Sequence, residues 1–236
     1  MMPQRIKVIG FDADDTLWVN EPYYRAVEEE FSRLMMPYDT GKDVTKELYR
    51  TEMNNLSLYG YGIKSFMLSL VQCAIEVTDG KVHTETIEQI LDLGKGMLQR
   101  PIELLEDVKT VLENLAEDYT LIVATKGDLL DQEKKMMKSS IASYFHHIEI
   151  MSDKKEQNYV QLLQHLDIHP GEFLMIGNSL KSDILPALHL GSYAIHVPFH
   201  TTWIHEEIDE DPVSKRFYRV EKLKDTLEII RKLETE

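Results

Sequence analysis

Phe11-Asp12-Ala13-Asp14-Asp15-Thr16-Leu17 sets three carboxylates within four residues, directly after the apolar run Ile6-Lys7-Val8-Ile9-Gly10-Phe11. An apolar run that short, with β-branched residues, reads as a buried strand. The carboxylates then fall at its carboxyl end, where open α/β sheets gather their chemistry. Carboxylates so close repel one another, which raises a pKa or demands a cation. A hard cation such as Mg²⁺, with oxygen ligands, is the simplest remedy. The competing reading is an acidic turn, because Asp also caps helices and bends loops. The rest of the chain decides between the two.

The 236 residues allow one large domain or a core with a smaller companion, and 43% apolar residues suffice for a real core. A formal charge of -15 argues against nucleic acid or an anionic membrane as the main partner. An anionic substrate would therefore need locally placed cations. The single cysteine, Cys73, lies in a helical pattern and cannot form a disulfide within the chain, which fits a reducing compartment. It reads as a small buried hydrophobe rather than a nucleophile. No apolar run reaches membrane-spanning length, and Met1-Met2-Pro3-Gln4-Arg5 leads at once into the first strand, so a cytoplasmic protein is expected.

Beyond the acidic stretch the pattern turns helical. Tyr24, Val27, Phe31 and Leu34 recur at helical spacing, followed by a weaker set at Val44, Leu48 and Leu56. Ile63, Phe66, Met67, Leu70, Val71, Ala74 and Ile75 make the clearest stripe, and Ile87, Ile90, Leu91 and Leu98 a fourth. Four such segments suggest a small helical bundle. After Pro101 a helix over Leu104–Leu115 is expected, then strands at Leu121–Ala124, Ile148–Ile150, Phe173–Ile176 and Tyr193–Val197. Helices containing Tyr159 to Leu166, Ile184 to Leu188 and residues near 222–233 alternate with them. This alternation implies a parallel sheet covered on both faces. Roughly a hundred residues separate the first two strands, far more than a crossover requires. The expected division is a catalytic core of residues 1–18 and 100–236, with residues 19–99 inserted as a helical cap able to act as a lid.

Each core strand ends on residues suited to an anion or a cation. Thr125-Lys126-Gly127 offers a hydroxyl, exposed N–H groups and a flexible glycine, an anion cradle or an ordinary turn. Asp153 and Glu156 resemble a capping box that would put Lys154 and Lys155 in the first helical turn. Lysine is not favoured there by the helix dipole, so a job near a phosphate or an aspartate would explain it; solvated surface lysines are the alternative. Gly177-Asn178-Ser179-Leu180-Lys181-Ser182-Asp183 offers oxygens to a cation through Asn178 and Asp183. His196, His200 and His205 fit no standard metal spacing.

These residues, in this order, resemble the haloacid-dehalogenase-like hydrolases. Asp12-x-Asp14-x-Thr16 matches the family's first motif, Thr125 its second, a lysine at 154 or 155 its third, and Gly177-Asn178-Ser179 with Asp183 its fourth. The resemblance implies an α/β fold, a Rossmann-like parallel sheet core with an inserted α-helical cap domain. It implies a Mg²⁺-dependent phosphatase acting on a small phosphorylated metabolite. Asp12 would be the nucleophile that forms an aspartyl-phosphate, and Asp14 the acid and base. Thr125, Lys126 and Gly127 would hold the phosphoryl group, and Lys154, preferred to Lys155 for its spacing to Tyr159, would offset its charge. Asp12, Asp14, Asn178 and Asp183 would hold the metal. Asn178 stands where the family usually has Asp, which removes one negative charge from the metal shell. Asp14 favours phosphatases over dehalogenases, because a halide leaves without a proton. A phosphosugar mutase-type transferase or a phospho-accepting signalling module are the alternatives. Substrate choice would fall to the cap, where Tyr59-Gly60-Tyr61-Gly62-Ile63-Lys64 is either a substrate-contacting loop or a helix–helix turn.

Overall fold

A computed structural model of the chain describes residues 6–201, 203–206, 208 and 210–235. Its strands are β1 (Val8–Phe11), β2 (Thr120–Lys126), β3 (His147–Met151), β4 (Phe173–Gly177), β5 (Tyr193–His196) and β6 (Phe217–Arg219). They form one parallel sheet in the order β3-β2-β1-β4-β5-β6. All four residues of β1 are buried, which is why this stretch reads as a continuous apolar run rather than an alternating one. The chain builds outward from β1 to β3 on one side, then returns to β4 on the other. That reversal makes β1 and β4 a topological switch point, and open α/β sheets hold ligands at the carboxyl ends of such strands. Phe11 is level with Val123 and Ile176, so Asp12 leaves the sheet between the ends of β2 and β4. Its N–H still donates to the Ile176 carbonyl at 2.9 Å.

The helices are α1 (Glu21–Met35), α2 (Val44–Tyr59), α3 (Ile63–Val77), α4 (Thr84–Gln99), α5 (Val108–Leu115), α6 (Leu129–Lys138), α7 (Glu156–His165), α8 (Leu185–His189) and α9 (Thr226–Leu233). The chain divides into two compact units. The first comprises Met1–Glu21, Ile102–Lys126 and Lys135–Glu236; the second comprises Pro22–Pro101 and Gly127–Lys134. The sequence division put 127–134 with the core, whereas the structure groups it with the helices.

In the second unit, Phe31, Leu70, Cys73, Ala74 and Ile90 are fully buried in one cluster. Cys73 is indeed a core residue, and burial pushes its thiol up to about 12, which leaves it inert. Of the Tyr59–Lys64 stretch, Tyr59 ends α2, Ile63 and Lys64 open α3, and Gly60-Tyr61-Gly62 form the turn between them, with both glycines at positive φ. Among the described residues, no helix is long and apolar enough to cross a membrane.

Three local expectations are corrected, and two elements appear that the pattern does not announce. The helix expected over Leu104–Leu115 begins only at Val108, because Asp107 takes a left-handed φ of 64° and Leu104 instead bridges to Trp18. The helix around Ile184 is a π-helical turn, Leu180–Ile184, followed by the short α8. The Asp153–Glu156 capping box does not form. Helix α7 starts at Glu156, its flanking Lys155 N–H donates to Asn158 Oδ1 at 3.2 Å, and both lysines precede the helix. Finally, α6 and β6 carry no strong apolar pattern and were not expected.

Candidate active site

The loop after β1 is held by its own residues. Asp15 takes φ 62°, a region that Asp and Asn tolerate better than most side chains. Its carboxylate accepts the Asn20 N–H at 2.8 Å and the Glu21 N–H at 2.9 Å, which caps the start of α1. Burial pushes its carboxyl up to about 7 against those two bonds. Asp15 therefore serves the backbone and leaves Asp12 and Asp14 for other uses.

Asp12, Lys154 and Asp183 form a buried triad. Lys154 Nζ is hydrogen-bonded to Asp12 Oδ1 and, at 2.6 Å, to Asp183 Oδ1. The Lys154 side chain is 1% exposed, whereas Lys155 is 79% exposed and pairs with Asp153. The two neighbouring lysines thus differ completely in environment. Burial disfavours the Lys154 cation, but Asp12 and Asp183 outweigh it and hold its pKa above that of an ordinary lysine. One ammonium cannot neutralise two carboxylates. Burial and the Asp183 charge accordingly raise Asp12 to about 7, although Lys154 opposes the rise.

The loop after β4 brings Asp183 into place. Its Oδ2 accepts the Ser179 N–H at 3.0 Å, and a Cβ at Gly177 would collide with this carboxylate. Only glycine permits that approach. Ser179 Oγ accepts the Ser182 N–H at 3.0 Å, and the buried Tyr159 hydroxyl donates to the Ser182 carbonyl at 3.0 Å. Thr16 Oγ1 lies 3.3 Å from both Asp12 Oδ2 and Asn178 Oδ1, so the amide oxygen faces the triad.

Thr125 is buried at the end of β2, its hydroxyl donating to the Lys126 carbonyl at 3.2 Å. Lys126 Nζ turns to Glu206 Oε1 at 2.6 Å and Ser182 Oγ at 2.9 Å rather than toward Asp12. Gly127 follows at φ 137°, grouped with the second unit. Asp14 Oδ1 accepts Trp18 Nε1 at 2.7 Å and Lys135 Nζ at 3.0 Å.

Two residues here were not singled out from the sequence, Lys135 and Glu206. Glu206 Oε2 accepts both the Ser179 and the Ser182 hydroxyls at 2.5 Å. Burial alone would raise its carboxyl, but Lys126 and these hydroxyls bring it down to about 2. His196 Nε2 contacts the Asn178 carbonyl at 2.9 Å, and the Trp203 ring meets the His205 ring at a tilt of 55°. Among the described residues, no three His, Cys, Asp or Glu side chains form a metal-holding group.

The oxygen set nevertheless suits Mg²⁺. That ion is commonly held by one or two carboxylates, with waters and substrate phosphate filling the rest of an octahedron. Asp12 and Asp183 supply two carboxylates with excess negative charge, and Asn178 adds a neutral oxygen.

A family model described as haloacid dehalogenase-like hydrolase matches residues 6–191. N-acylneuraminate-9-phosphatase of Rattus norvegicus is 25% identical, covering 86% of this chain and 84% of its own length. Glyceraldehyde 3-phosphate phosphatase of Pyrococcus furiosus is 23% identical, covering 96% and 94%. Among solved structures, a haloacid dehalogenase-like family hydrolase from Xanthomonas campestris is 34% identical with a TM-score of 0.88, covering 100% of this chain and 94% of that one. The match extends from the first strand beyond the loop that carries Asp183, and the chain belongs to the haloacid dehalogenase-like hydrolase family.

Proposed function

We propose that the protein is a Mg²⁺-dependent phosphatase that hydrolyses a small phosphorylated metabolite through an aspartyl-phosphate on Asp12. The observation that carries this reading is the buried triad, in which one lysine is shared between two carboxylates at the ends of the central strands. The relatives named as phosphatases of small phosphorylated compounds support the substrate class.

Asp12 attacks phosphorus in line, breaking the ester bond to the leaving oxygen. Asp14 protonates that oxygen and then takes a proton from the water that splits the acyl phosphate. The Thr125 hydroxyl and the N–H groups of Lys126 and Gly127 hold the phosphoryl oxygens, and Lys154 balances the charge on Asp12 and the transferring group. Spreading negative charge in this way is most of what phosphoryl transfer asks of a protein. Mg²⁺ would be held by the Asp12 and Asp183 carboxylates, Asn178 Oδ1 and the Asp14 carbonyl. When bound, it supplies positive charge against the phosphoryl oxygens.

The test is phosphate release from p-nitrophenyl phosphate and a panel of phosphorylated metabolites, with and without Mg²⁺. Asp12→Asn is expected to lower the rate by at least about 10³-fold, as removal of a catalytic nucleophile does. Turnover by that variant near the wild-type rate sinks the mechanism.

A further inference from the structure

Lys135 has no part in the proposed chemistry, yet it is tied to Asp14. Its Nζ donates to Asp14 Oδ1 and to Asn20 Oδ1, both at 3.0 Å, so one ammonium spans the turn that runs from Asp14 to Asn20. The lysine side chain is 12% exposed and that of Asp14 24%. The pair is therefore partly withdrawn from water, where a charge-assisted bond orients its partner more firmly than a solvated surface pair does. Trp18 Nε1 donates to the same Asp14 oxygen at 2.7 Å. Two donors on one oxygen, one four residues along the chain and one from α6, restrict the swing of the carboxylate.

We propose that Lys135 is a positioning residue for proton transfer, setting the orientation of Asp14 through Asp14 Oδ1 and bracing the turn through Asn20. This inference rests on the reading of Asp14 as the group that protonates the leaving oxygen. A proton donor acts only within hydrogen-bond reach of its acceptor, and misplacement by about 1 Å can reduce a rate about 10²-fold. The demand for the proton depends on the ester. An alkyl oxygen leaves as a strong base and needs the proton while the bond breaks. A p-nitrophenolate leaves without one.

The experiment compares kcat/KM for an alkyl phosphate ester and for p-nitrophenyl phosphate, with Mg²⁺, in wild type, Lys135→Met, Lys135→Arg and Asp14→Asn. This ratio reports the transfer to Asp12 and excludes the later hydrolysis of the aspartyl-phosphate. Lys135→Met is expected to lose about 10-fold more on the alkyl ester than on the aryl ester, a fraction of the whole acid–base contribution. Lys135→Arg, which keeps the cation, is expected to restore most of that difference. Asp14→Asn is expected to show the same leaving-group selectivity, larger. Equal losses on both esters in Lys135→Met, or no restoration by arginine, overturn the positioning role while Asp14→Asn remains selective. An unselective Asp14→Asn overturns the reading of Asp14 itself, and the role of Lys135 with it.

Discussion

The strand ends of the α/β unit and the helices α1–α4 bury polar groups in opposite ways. At the strand ends Asp12, Lys154 and Asp183 are buried as ionisable groups, with charge shared among them. Within residues 22–101, which hold these helices apart from the buried Glu21 that opens α1, the buried polar residues are Thr51, Asn55, Ser65, Ser69 and Thr78, all neutral. Thr51, Ser69 and Thr78 return their hydroxyls to a carbonyl one turn earlier, and Asn55 reaches Ser69 Oγ at 3.1 Å and Gln72 Oε1 at 3.0 Å. Neutral pairs of this kind fasten helices at little cost. Buried charges are weak stabilisers, and clusters of them with displaced pKa values mark functional sites. The contrast separates a region organised for chemistry from one organised for packing.

Variants in each region sharpen the contrast. The largest effect on stability is expected from Lys154→Met, which leaves Asp12 and Asp183 buried without their cation. Breaking a buried pair from one side typically costs about 3–5 kcal/mol. The loss should be greatest in metal-free protein at alkaline pH and shrink as pH falls and the raised Asp12 carboxyl takes up a proton, as followed by urea denaturation. Leu70→Ala in α3 removes a fully buried side chain and is expected to cost about 3 kcal/mol. No titrating group is involved, so its cost should be the same at pH 5 and pH 8. A marked pH dependence would break the comparison.

Glu206→Gln should give a smaller loss with its own pH signature. Glu206 is 11% exposed and its carboxyl is held near 2, below the ordinary 4.5. A carboxyl depressed in the folded state adds stability above its unfolded pKa, and that stability disappears as pH falls through the folded value. The difference between wild type and variant is therefore expected to be on the order of 2 kcal/mol above pH 5 and to fade toward pH 2. A difference that grows as pH falls would contradict the Lys126–Glu206 geometry.

The regions also differ in how much the sequence reveals. Strand β1 and its acidic loop are legible because the signal is local, an apolar run ending in clustered carboxylates. The four helices are legible because each keeps an apolar stripe over several turns. Lys154 and Lys155 are chemically identical, and the spacing to Tyr159 that favours Lys154 comes from the resemblance alone; the fold, which closes Asp12 and Asp183 around Lys154, separates them by environment. Glu206 and Lys135 lie far in sequence from the groups they touch, in segments without apolar pattern. Helix α6, Leu-Leu-Asp-Gln-Glu-Lys-Lys-Met-Met-Lys, is rich in helix-forming residues, but its apolar residues stand only at its two ends and make no repeated stripe, and β6 is three residues at a sheet edge. The left-handed Asp107 that delays α5 also escapes a periodicity argument, because the apolar spacing continues through it.

On the proposed mechanism Asp12 is expected to carry the phosphoryl group during turnover. Acid quenching of the protein in steady state with ³²P-labelled substrate and Mg²⁺, followed by peptide mapping, tests it directly. A hydroxylamine-labile phosphoryl label is expected on the peptide containing Asp12, absent in Asp12→Asn. Rapid turnover with no label on that peptide, or a label on another residue, would contradict it.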